Sequence, residues 1–434
     1  MKSKTKKIVF TATAVPLVLA VGVVGYQQVL SSEYETALAE VNALPGITAT
    51  SEGLAFGIFG SSATTNVTID NEKLGMFSES ITNGNKLSME IEHKVNLLSY
   101  PIEVSHTVFL GPDASAKVGE YLELNEEESK RFMLPIQLVS QHSSETQTLL
   151  GMTDHIQYGR NIEISPIRFT AVAFDGGHDA ALFATSKSIT ASNQTSNSMI
   201  SIENAAFSWN GSLNDCETIC TGTRNFEASK LSQFGTNGGL DMVAENLTVE
   251  MGTSLIDGTY RFTFDTSASS LESATIDWDH FVLHSSTEDV QRVAIEQFSA
   301  DLEKLVTDDS ISFFAQNHLP AMYARFLQSG MTFKVDKFNA LAESGEIDGS
   351  LRINLPADSM PDMVHNPMGL IKVLNGELHL TVPVNEFNNL LGVGSARSVL
   401  STGFATLSDD KYKLITDLSV ANGTAVINGR QVSL

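Results

Sequence analysis

The chain has 434 residues, of which 27 are Lys or Arg and 51 are Asp or Glu, giving a formal net charge of −24 at pH 7. So acidic a surface repels phosphate backbones, which argues against nucleic-acid binding, and it disfavours peripheral contact with anionic lipid headgroups. Because 42% of the residues are hydrophobic, the chain is able to bury a sizeable core and is expected to fold.

The amino terminus combines a basic patch with a long uncharged run. Lys2, Lys4, Lys6 and Lys7 precede the stretch 8–30, which contains no charged residue. As a helix this stretch is about 34 Å long, enough to cross a hydrocarbon core about 30 Å thick. Since no small-x-small cleavage pattern follows directly, we favour a retained transmembrane signal anchor over a cleaved signal peptide.

The distribution of basic residues predicts the orientation of this anchor. After the basic patch the next basic residue is Lys73. The positive-inside rule therefore places residues 1–7 in the cytoplasm as a basic tail, and the body of the chain on the far side of the membrane.

Two cysteines fit an oxidising compartment. Cys216 and Cys220 lie close together in a polar segment that is typical of a loop. In an exterior protein this spacing predicts a local disulfide that pins the loop, with free thiols as the alternative. Two thiolates fall short of the four ligands of a structural zinc site, and the spacing differs from the C-x-x-C of redox motifs.

The first elements after the anchor are a short helix and two strands. Residues 31–46 predict an amphipathic helical stalk that ends at Pro45 and Gly46. Apolar and polar residues alternate from Leu87 to Leu97, and the same pattern resumes from Ile102 to Leu110. We expect these two segments to be antiparallel neighbours with one buried face each.

Residues 47–285 as a whole predict a β-rich region. The apolar face of Ile162 to Ala173 changes phase after Pro166, which predicts a bulge. Gly-, Asn- and Ser-rich separators and the absence of a fixed-period repeat favour a large antiparallel meander over a solenoid. The other expected strands are Met199 to Ile202, Phe207 to Trp209, Leu240 to Met251, Tyr260 to Phe264 and Ala274 to Leu283.

The last third of the chain predicts helices and then more sheet. Residues 286–330 show two apolar stripes at helical spacing, one capped by Thr287 and one ended by Gly330, which predicts a helical pair. Residues 331–434 return to strands continuous with the sheet, with helical turns at Asn385 to Leu391. Asn422-Gly423 and Asn428-Gly429 predict two type I′ hairpins. The fold class is α+β and β-rich.

Chemical motifs are few. The nucleophile elbow, the H-E-x-x-H helix, the dinucleotide-binding glycine loop and the Walker loop do not occur in the sequence. Residues 408–411 satisfy S-x-x-K but lie in a polar turn before the final strand. The loop 175–179 is more typical of a solvated turn than of a cation site. His93 and His106 lie on apolar faces and are expected to be core histidines with satisfied hydrogen bonds.

The most suggestive cluster is Asp277, Asp279, His280 and His284. On a strand the two histidines are about 13 Å apart, too far for one metal ion. We therefore expect a structural role for this segment, and we assign no catalytic residue, no metal ligand and no cofactor-binding residue anywhere in the chain.

Several segments carry a family resemblance. They are the anchor, the stretch Gly53 to Ser62 leading into a strand, the segment Leu374 to Pro383, and the ending from Tyr412 to Arg430. With these segments the chain resembles, over nearly its full length, the YdgA-like family of bacterial envelope proteins, also called the DUF945 family. The resemblance implies an inner-membrane anchor in a Gram-negative cell and a periplasmic body, and it transfers no catalytic residue.

These observations together predict a non-enzymatic, inner-membrane-anchored periplasmic protein with a binding or scaffolding role in the cell envelope. Its partners are the membrane itself, through residues 8–30, and a lipid or another envelope protein bound on a sheet face. The alternative is a hydrolase that acts on an envelope polymer through paired carboxylates. A continuous apolar surface about 15 Å or more in width, a few strands at about 4.8 Å each, favours the binding protein. A closed cleft with two facing carboxylates favours the enzyme.

Overall fold

The computed structural model describes most of the chain beyond the amino terminus. The described residues are 35, 38–39, 41–42, 46–56, 60–70, 86–96, 101–116, 130–134, 136–142, 146–158, 162–174, 179–193, 198–212, 219–235, 242–306, 325–357 and 373–433. The predicted tail 1–7 and anchor 8–30 lie outside them. Within the described part, no helix is both long enough and apolar enough to span a bilayer.

The described residues divide into two compact units. The first takes in the described parts of Met1–Tyr158, Glu163–Lys187 and Phe207–Cys220, and the second those of Gly159–Ile162, Ser188–Ala206 and Thr221–Leu434. Both units are built from antiparallel strands with few helices, which confirms the β-rich prediction at this level.

Unit 1 is a meander. Strands β1 to β6 pair in chain order, β6 pairs with β9, and β9 pairs with the first part of β10. The bounds are β1 Ile47–Phe56, β2 Gly60–Asp70, β3 Lys86–Asn96, β4 Ile102–Leu110, β5 Ile136–His142, β6 Thr146–Thr153, β7 Ile156–Tyr158, β8 Ile162–Ile164, β9 Arg168–Phe174 and β10 Asp179–Asn193.

Unit 2 continues the same architecture with longer strands. Strands β12 to β18 pair in chain order, β18 pairs with β20, β19 also lies against β20, and β20 to β22 form the final hairpins. The bounds are β11 Ser198–Ser212, β12 Gly222–Gly235, β13 Met242–Ile256, β14 Thr259–Ser273, β15 Asp277–Gln291, β16 Met331–Ala342, β17 Gly345–Leu355, β18 Asn375–Pro383, β19 Thr406–Leu407, β20 Lys413–Ala421, β21 Thr424–Ile427 and β22 Arg430–Ser433.

Three helices of eight or more residues accompany these strands in the described residues: α1 Arg292–Val306, α2 Val384–Leu391 and α3 Ser395–Thr402. The predicted turns at Asn385 to Leu391 are confirmed by α2, whereas α3 was not predicted. Residues 325–328 are helical and Gly330 has φ +80°, so the end of the second predicted helix is confirmed. The rest of that helix, and most of the stalk 31–46, lie outside the described residues.

The local strand predictions are confirmed in unit 1. In β3 the residues Leu87, Met89, Ile91, His93 and Val95 are all buried, and the residues between them are not. Strands β3 and β4 pair antiparallel as predicted. Alternation of side chains across the pleat puts every second residue into the core, where Val67, Ile91 and Leu138 lie at its centre.

Two boundaries in the sequence prediction were wrong. The strand predicted to end near residue 285 continues to Gln291, because Tyr260 pairs with Val290 and Thr259 with Gln291. The helix therefore begins at Arg292 and Thr287 is not its cap. The segment predicted as one bulged strand, Ile162 to Ala173, is instead two strands, β8 and β9, separated by residues 165–167.

The strands of unit 2 cross a transverse crease. Asn204, Asn246 and His280 have φ near +50° (49°, 48° and 53°) in the middle of long strands, a conformation that Asn tolerates better than most residues. The Asn246 amide donates to Ser269 Oγ at 2.8 Å, and the Ser269 hydroxyl donates to the carbonyl of Glu245 at 3.1 Å. Asn204 makes the same pair of bonds with Ser229 and the carbonyl of residue 203, at 2.9 and 3.1 Å.

The crease shifts the alternation of side chains between the two faces of the sheet. Trp278 and Phe281 are three residues apart on β15, yet their rings stack with centroids 6.1 Å apart. Both pack in the main cluster of unit 2, together with Phe387 of α2. The same Asn-Ser hydrogen bonds occur between β11 and β12 and between β13 and β14, although the sequence shows no repeat of fixed period.

Candidate functional site

The candidate site lies on the two faces of the sheet in unit 2. Register places Lys334, Arg352, Glu377 and Ser419 in one transverse row across β16, β17, β18 and β20. Since successive side chains of a strand point to opposite faces, a second row two residues away shares that face. This row consists of Asp336, Ser350, His379 and Asp417.

The two rows form the walls of a polar trough of about 540 Å³. The residues between the rows, Val335, Leu351, Leu378 and Leu418, also line it. Their side chains point to the other face by alternation, so their backbone forms the floor. Four strands at about 4.8 Å spacing make the trough about 14 Å long. We call these residues the polar trough.

A cluster of charged side chains around Glu288 adjoins the trough. The Glu288 carboxylate forms an ion pair with Lys334 and another with Arg261 at 3.3 Å. The hydrogen bond from Lys334 is the main reason why the pKa of Glu288 lies below its usual value, and the positive charges of Arg261 and Arg352 act in the same direction. Three cations therefore surround one carboxylate, in a chain that is strongly acidic overall.

Two histidine-aspartate pairs lie on this sheet, one between β18 and β20 and one between β14 and β15. His379 Nδ1 lies 2.6 Å from Asp417 Oδ1, and its Nε2 is 3.4 Å from the Thr381 hydroxyl. His284 Nδ1 lies 2.8 Å from Asp265 Oδ1 on the neighbouring strand. All these groups are largely exposed, so each pair resembles a surface ion pair rather than a buried catalytic dyad.

The opposite face of the same sheet is apolar. Its three transverse rows are occupied mainly by hydrophobic side chains that register places on this face. Met251, Phe264 and Phe333 are 41%, 39% and 37% exposed. The apolar face consists of Phe226, Val249, Met251, Phe262, Phe264, Leu283, Phe333, Val335, Phe338, Leu351, Ile353, Leu378, Leu380, Leu418 and Val420.

Helix α2 covers one margin of the apolar face. Phe387 and Leu390 pack with Phe338 and Leu380. The Trp278 indole donates a hydrogen bond to the Glu386 carboxylate at 2.7 Å, and both side chains are buried. This bond fixes α2 against the sheet.

Unit 1 contains a buried chain of four polar side chains. The Thr65 hydroxyl lies 2.8 Å from His93 Nε2, His93 Nδ1 lies 2.8 Å from His106 Nδ1, and His106 Nε2 lies 2.9 Å from Ser140 Oγ. None of the four residues is more than 3% exposed. The prediction that His93 and His106 are core histidines with satisfied hydrogen bonds is confirmed.

The contact between the two rings determines their protonation. Because the two Nδ1 atoms face each other, one must carry a proton and the other must accept it. The rings are therefore opposite tautomers, and the hydrogen bonds can run from Thr65 to Ser140 or in reverse. Burial lowers the pKa of His93 to about 4, which keeps this ring neutral at pH 7.

The other residues singled out in the sequence are not brought together. His280 lies on the crease, and His284 bonds to Asp265. Among the described residues no group of three His, Cys, Asp or Glu is arranged to hold a metal ion. Residues 175–178 of the loop proposed as a solvated turn lie outside the described part.

The S-x-x-K segment is a turn, as predicted. The Ser408 hydroxyl bonds to Asp410 at 2.5 Å and accepts the backbone N–H of Lys413 at 3.0 Å. Its bond to Asp410 is the main cause of the lowered pKa of that carboxyl. Lys411 has φ +65° and closes the turn.

Cys220 is disulfide-bonded. Cys216 lies outside the described residues, so the pairing of the two cysteines stays a prediction.

The residues of the polar trough were not selected from the sequence. They look like the solvated face of ordinary strands, because acid, base and hydroxyl groups alternate there with apolar residues. An Asn-Gly turn fixes which residues of its two strands face each other, but neither such turn joins two of the strands β16, β17, β18 and β20 that carry the rows. For β20 and β21, that register was available from Asn422-Gly423.

The fold defines a β-rich antiparallel protein whose unit 2 sheet has one polar and one apolar face. The chain belongs to the family described as "Bacterial protein of unknown function (DUF945)", whose model matches residues 156–434. The predicted DUF945 resemblance is confirmed, while the name YdgA-like rests on the resemblance alone. No curated protein and no solved structure matches the chain. The polar trough and the apolar face lie within the matched residues, and the histidine pair lies before them.

Proposed function

We propose that this protein is a non-enzymatic binding protein of the bacterial envelope whose apolar face accepts the acyl chains of a lipid. It is held at the inner membrane by residues 8–30, with residues 1–7 in the cytoplasm and the body in the periplasm. The stalk 31–46 separates the membrane from the sheet, and a helical pair follows β15 from Arg292 onward.

The width of the apolar face is the observation that carries this proposal. Its central row runs from Met251 on β13 to Leu418 on β20 and is apolar on every strand except β15, where Ser285 lies. Seven strands at about 4.8 Å spacing make it about 29 Å wide, well above the 15 Å or so that distinguishes a binding surface from a narrow cleft. Exposed apolar patches of this size mark binding surfaces in soluble domains.

The proposed location has separate support. The disulfide at Cys220 fits an oxidising compartment such as the periplasm. The basic patch before the uncharged run 8–30 fits a cytoplasmic amino terminus. A periplasmic reporter fused after Leu434 tests the orientation directly, and reporter activity in the cytoplasm would contradict it.

The test of binding is native mass spectrometry of the full-length protein extracted from membranes with its bound molecules. We expect lipid to be retained by the wild type. The double variant Met251→Gln and Phe264→Gln changes two exposed side chains, so it is expected to fold normally and to lose most of the bound lipid.

Phe183→Gln is the matched control. Phe183 is 51% exposed on β10 in unit 1, so its replacement removes one exposed apolar side chain away from the apolar face. Retention of lipid by the double variant, or equal loss in the control, would refute the assignment of the apolar face. If the wild-type protein is free of lipid but carries a stable protein partner, the proposed role as a lipid carrier is refuted and a role as a scaffold is supported.

A further inference from the structure

The first wall of the polar trough separates its charges along its length, while the second wall carries Asp336 at the β16 end and Asp417 at the β20 end. Lys334 and Arg352 bring positive charge to the β16 and β17 end of the first wall. Glu377 and Asp417 bring negative charge to the β18 and β20 end. The boundary falls between Arg352 and Glu377, which face each other on adjacent strands.

Arg352 is available to a ligand. Its side chain is exposed, and no carboxylate among the described residues lies within ion-pairing distance of it, although its charge reaches Glu288 and lowers the pKa of that group. Glu288 already pairs with Lys334 and Arg261. The three cations Lys334, Arg261 and Arg352 outnumber the two carboxylates Glu288 and Asp336, so this end of the trough keeps a net positive charge. Arg presents a planar fork of donors that suits phosphate oxygens.

Glu377 is available in the same way. It is exposed and directly opposite Arg352, yet the two groups do not form an ion pair in the described structure. Next to Glu377 on the same face, His379 is held by Asp417 at 2.6 Å. The Ser350 and Ser419 hydroxyls complete the walls around the two charges.

A purely anionic ligand would be attracted by Arg352 and repelled by Glu377. A purely cationic ligand would be repelled by Arg352 and attracted by Glu377. A ligand that carries both charges about one strand spacing apart, about 4.8 Å, satisfies both. We propose that the polar trough binds a small zwitterion, with a phosphate at Arg352 and Lys334 and an ammonium group at Glu377. This site is on the opposite face from the apolar face and does not depend on the lipid proposal.

Calorimetric titration of the full-length protein in detergent tests the site. The probes are O-phosphoethanolamine, inorganic phosphate and ethanolamine, each at the same ionic strength. We expect O-phosphoethanolamine to bind at least about tenfold more tightly than either half, because each charge-assisted contact contributes on this order. Equal affinity for phosphate and O-phosphoethanolamine would overturn the ammonium subsite.

Two variants separate the charges. Arg352→Gln and Glu377→Gln are each expected to weaken O-phosphoethanolamine binding about tenfold. Arg397→Gln on α3 and Glu272→Gln on β14 change equally exposed residues outside the trough and are expected to leave binding unchanged. Tighter binding in Glu377→Gln, or no effect of Arg352→Gln, would refute the proposal.

A fourth probe identifies the source of the ligand. Glycerophosphoethanolamine is the phosphodiester found in a lipid headgroup, whereas O-phosphoethanolamine is a monoester. Preference for the diester assigns the trough to headgroups, and preference for the monoester assigns it to soluble phosphate compounds. Absence of binding to all four probes would refute the site.

Discussion

Acidification is expected to destabilise unit 1 through the buried His93. The pKa of this histidine is lowered from 6.5 to about 4 because burial disfavours the charged ring. Above pH 6.5 the ring is neutral in both the folded and the unfolded chain, so it does not change the free energy of unfolding. Below pH 6.5 the unfolded chain takes up a proton that the folded chain refuses, and the free energy of unfolding falls as the pH drops towards 4.

The size of this effect follows from the shift in pKa. One pKa unit corresponds to about 1.36 kcal/mol, so a displacement from 6.5 to about 4 removes about 3 kcal/mol of stability by pH 4. That is a large part of the roughly 5–15 kcal/mol that stabilises a typical domain. The second ring cannot relieve the strain, because protonating both would place two N–H groups against each other.

Urea unfolding between pH 7.5 and pH 4 measures the effect in wild type and in His93→Gln. Glutamine keeps a donor and an acceptor at this position but does not titrate. Unfolding of the variant is therefore expected to take up about one proton fewer between pH 6.5 and pH 4, so that its free energy of unfolding depends less steeply on pH. The carboxylates on the other faces of β3 and β4 contribute equally to both proteins and cancel in the difference. His155→Gln changes a half-exposed histidine of the same unit and serves as the control. An unchanged pH dependence in His93→Gln would refute the reasoning.

Four further predictions concern stability. Trp278→Phe removes the hydrogen bond from the indole to the buried Glu386 carboxylate and is expected to lower the free energy of unfolding by about 2 kcal/mol in urea titrations, since a buried acceptor loses its partner; no loss would mean that water replaces the indole. Arg131→Gln breaks a clamp on two glutamates of β3 and a contact over an aromatic ring at 3.7 Å, and should cost about 1 kcal/mol at low salt and less at high salt. Gly429→Ala places a Cβ at φ +77° and should lower stability by about 1 kcal/mol in the same assay. Cys216→Ser should leave the body folded with a modest fall in the melting temperature, because the closed ring is short; gross unfolding would contradict a local disulfide.

Local features of the fold could be predicted because they depend on neighbours in sequence. The alternation in β3 and β4 identified the buried faces, and Asn422-Gly423 identified a turn in which both residues have positive φ, 51° and 73°. The helix boundary was predicted wrongly where pairing with a strand residue distant in sequence determines the local structure. Val290 fits a helical stripe equally well, but its pairing with Tyr260 keeps it in β15.

The candidate site could not be predicted because it depends on register across many strands. His93 and His106 were expected in the core from their phase. Their mutual contact exists only because the two residues are directly opposite each other. Arg352 and Glu377 are separated in sequence by residues that mostly lie outside the described part, and only the pairing of β17 with β18 brings them together. Sequence patterns report which face a residue occupies and do not report its cross-strand neighbour.

The crease gives the sheet of unit 2 a modular construction. Asn204 with Ser229 and Asn246 with Ser269 each join two consecutive strands by the same pair of side-chain bonds. A hairpin that carries this pair brings its own bend with it. Adding or deleting one such hairpin would therefore change the breadth of the apolar face by about 10 Å while leaving the bend of every remaining strand in place.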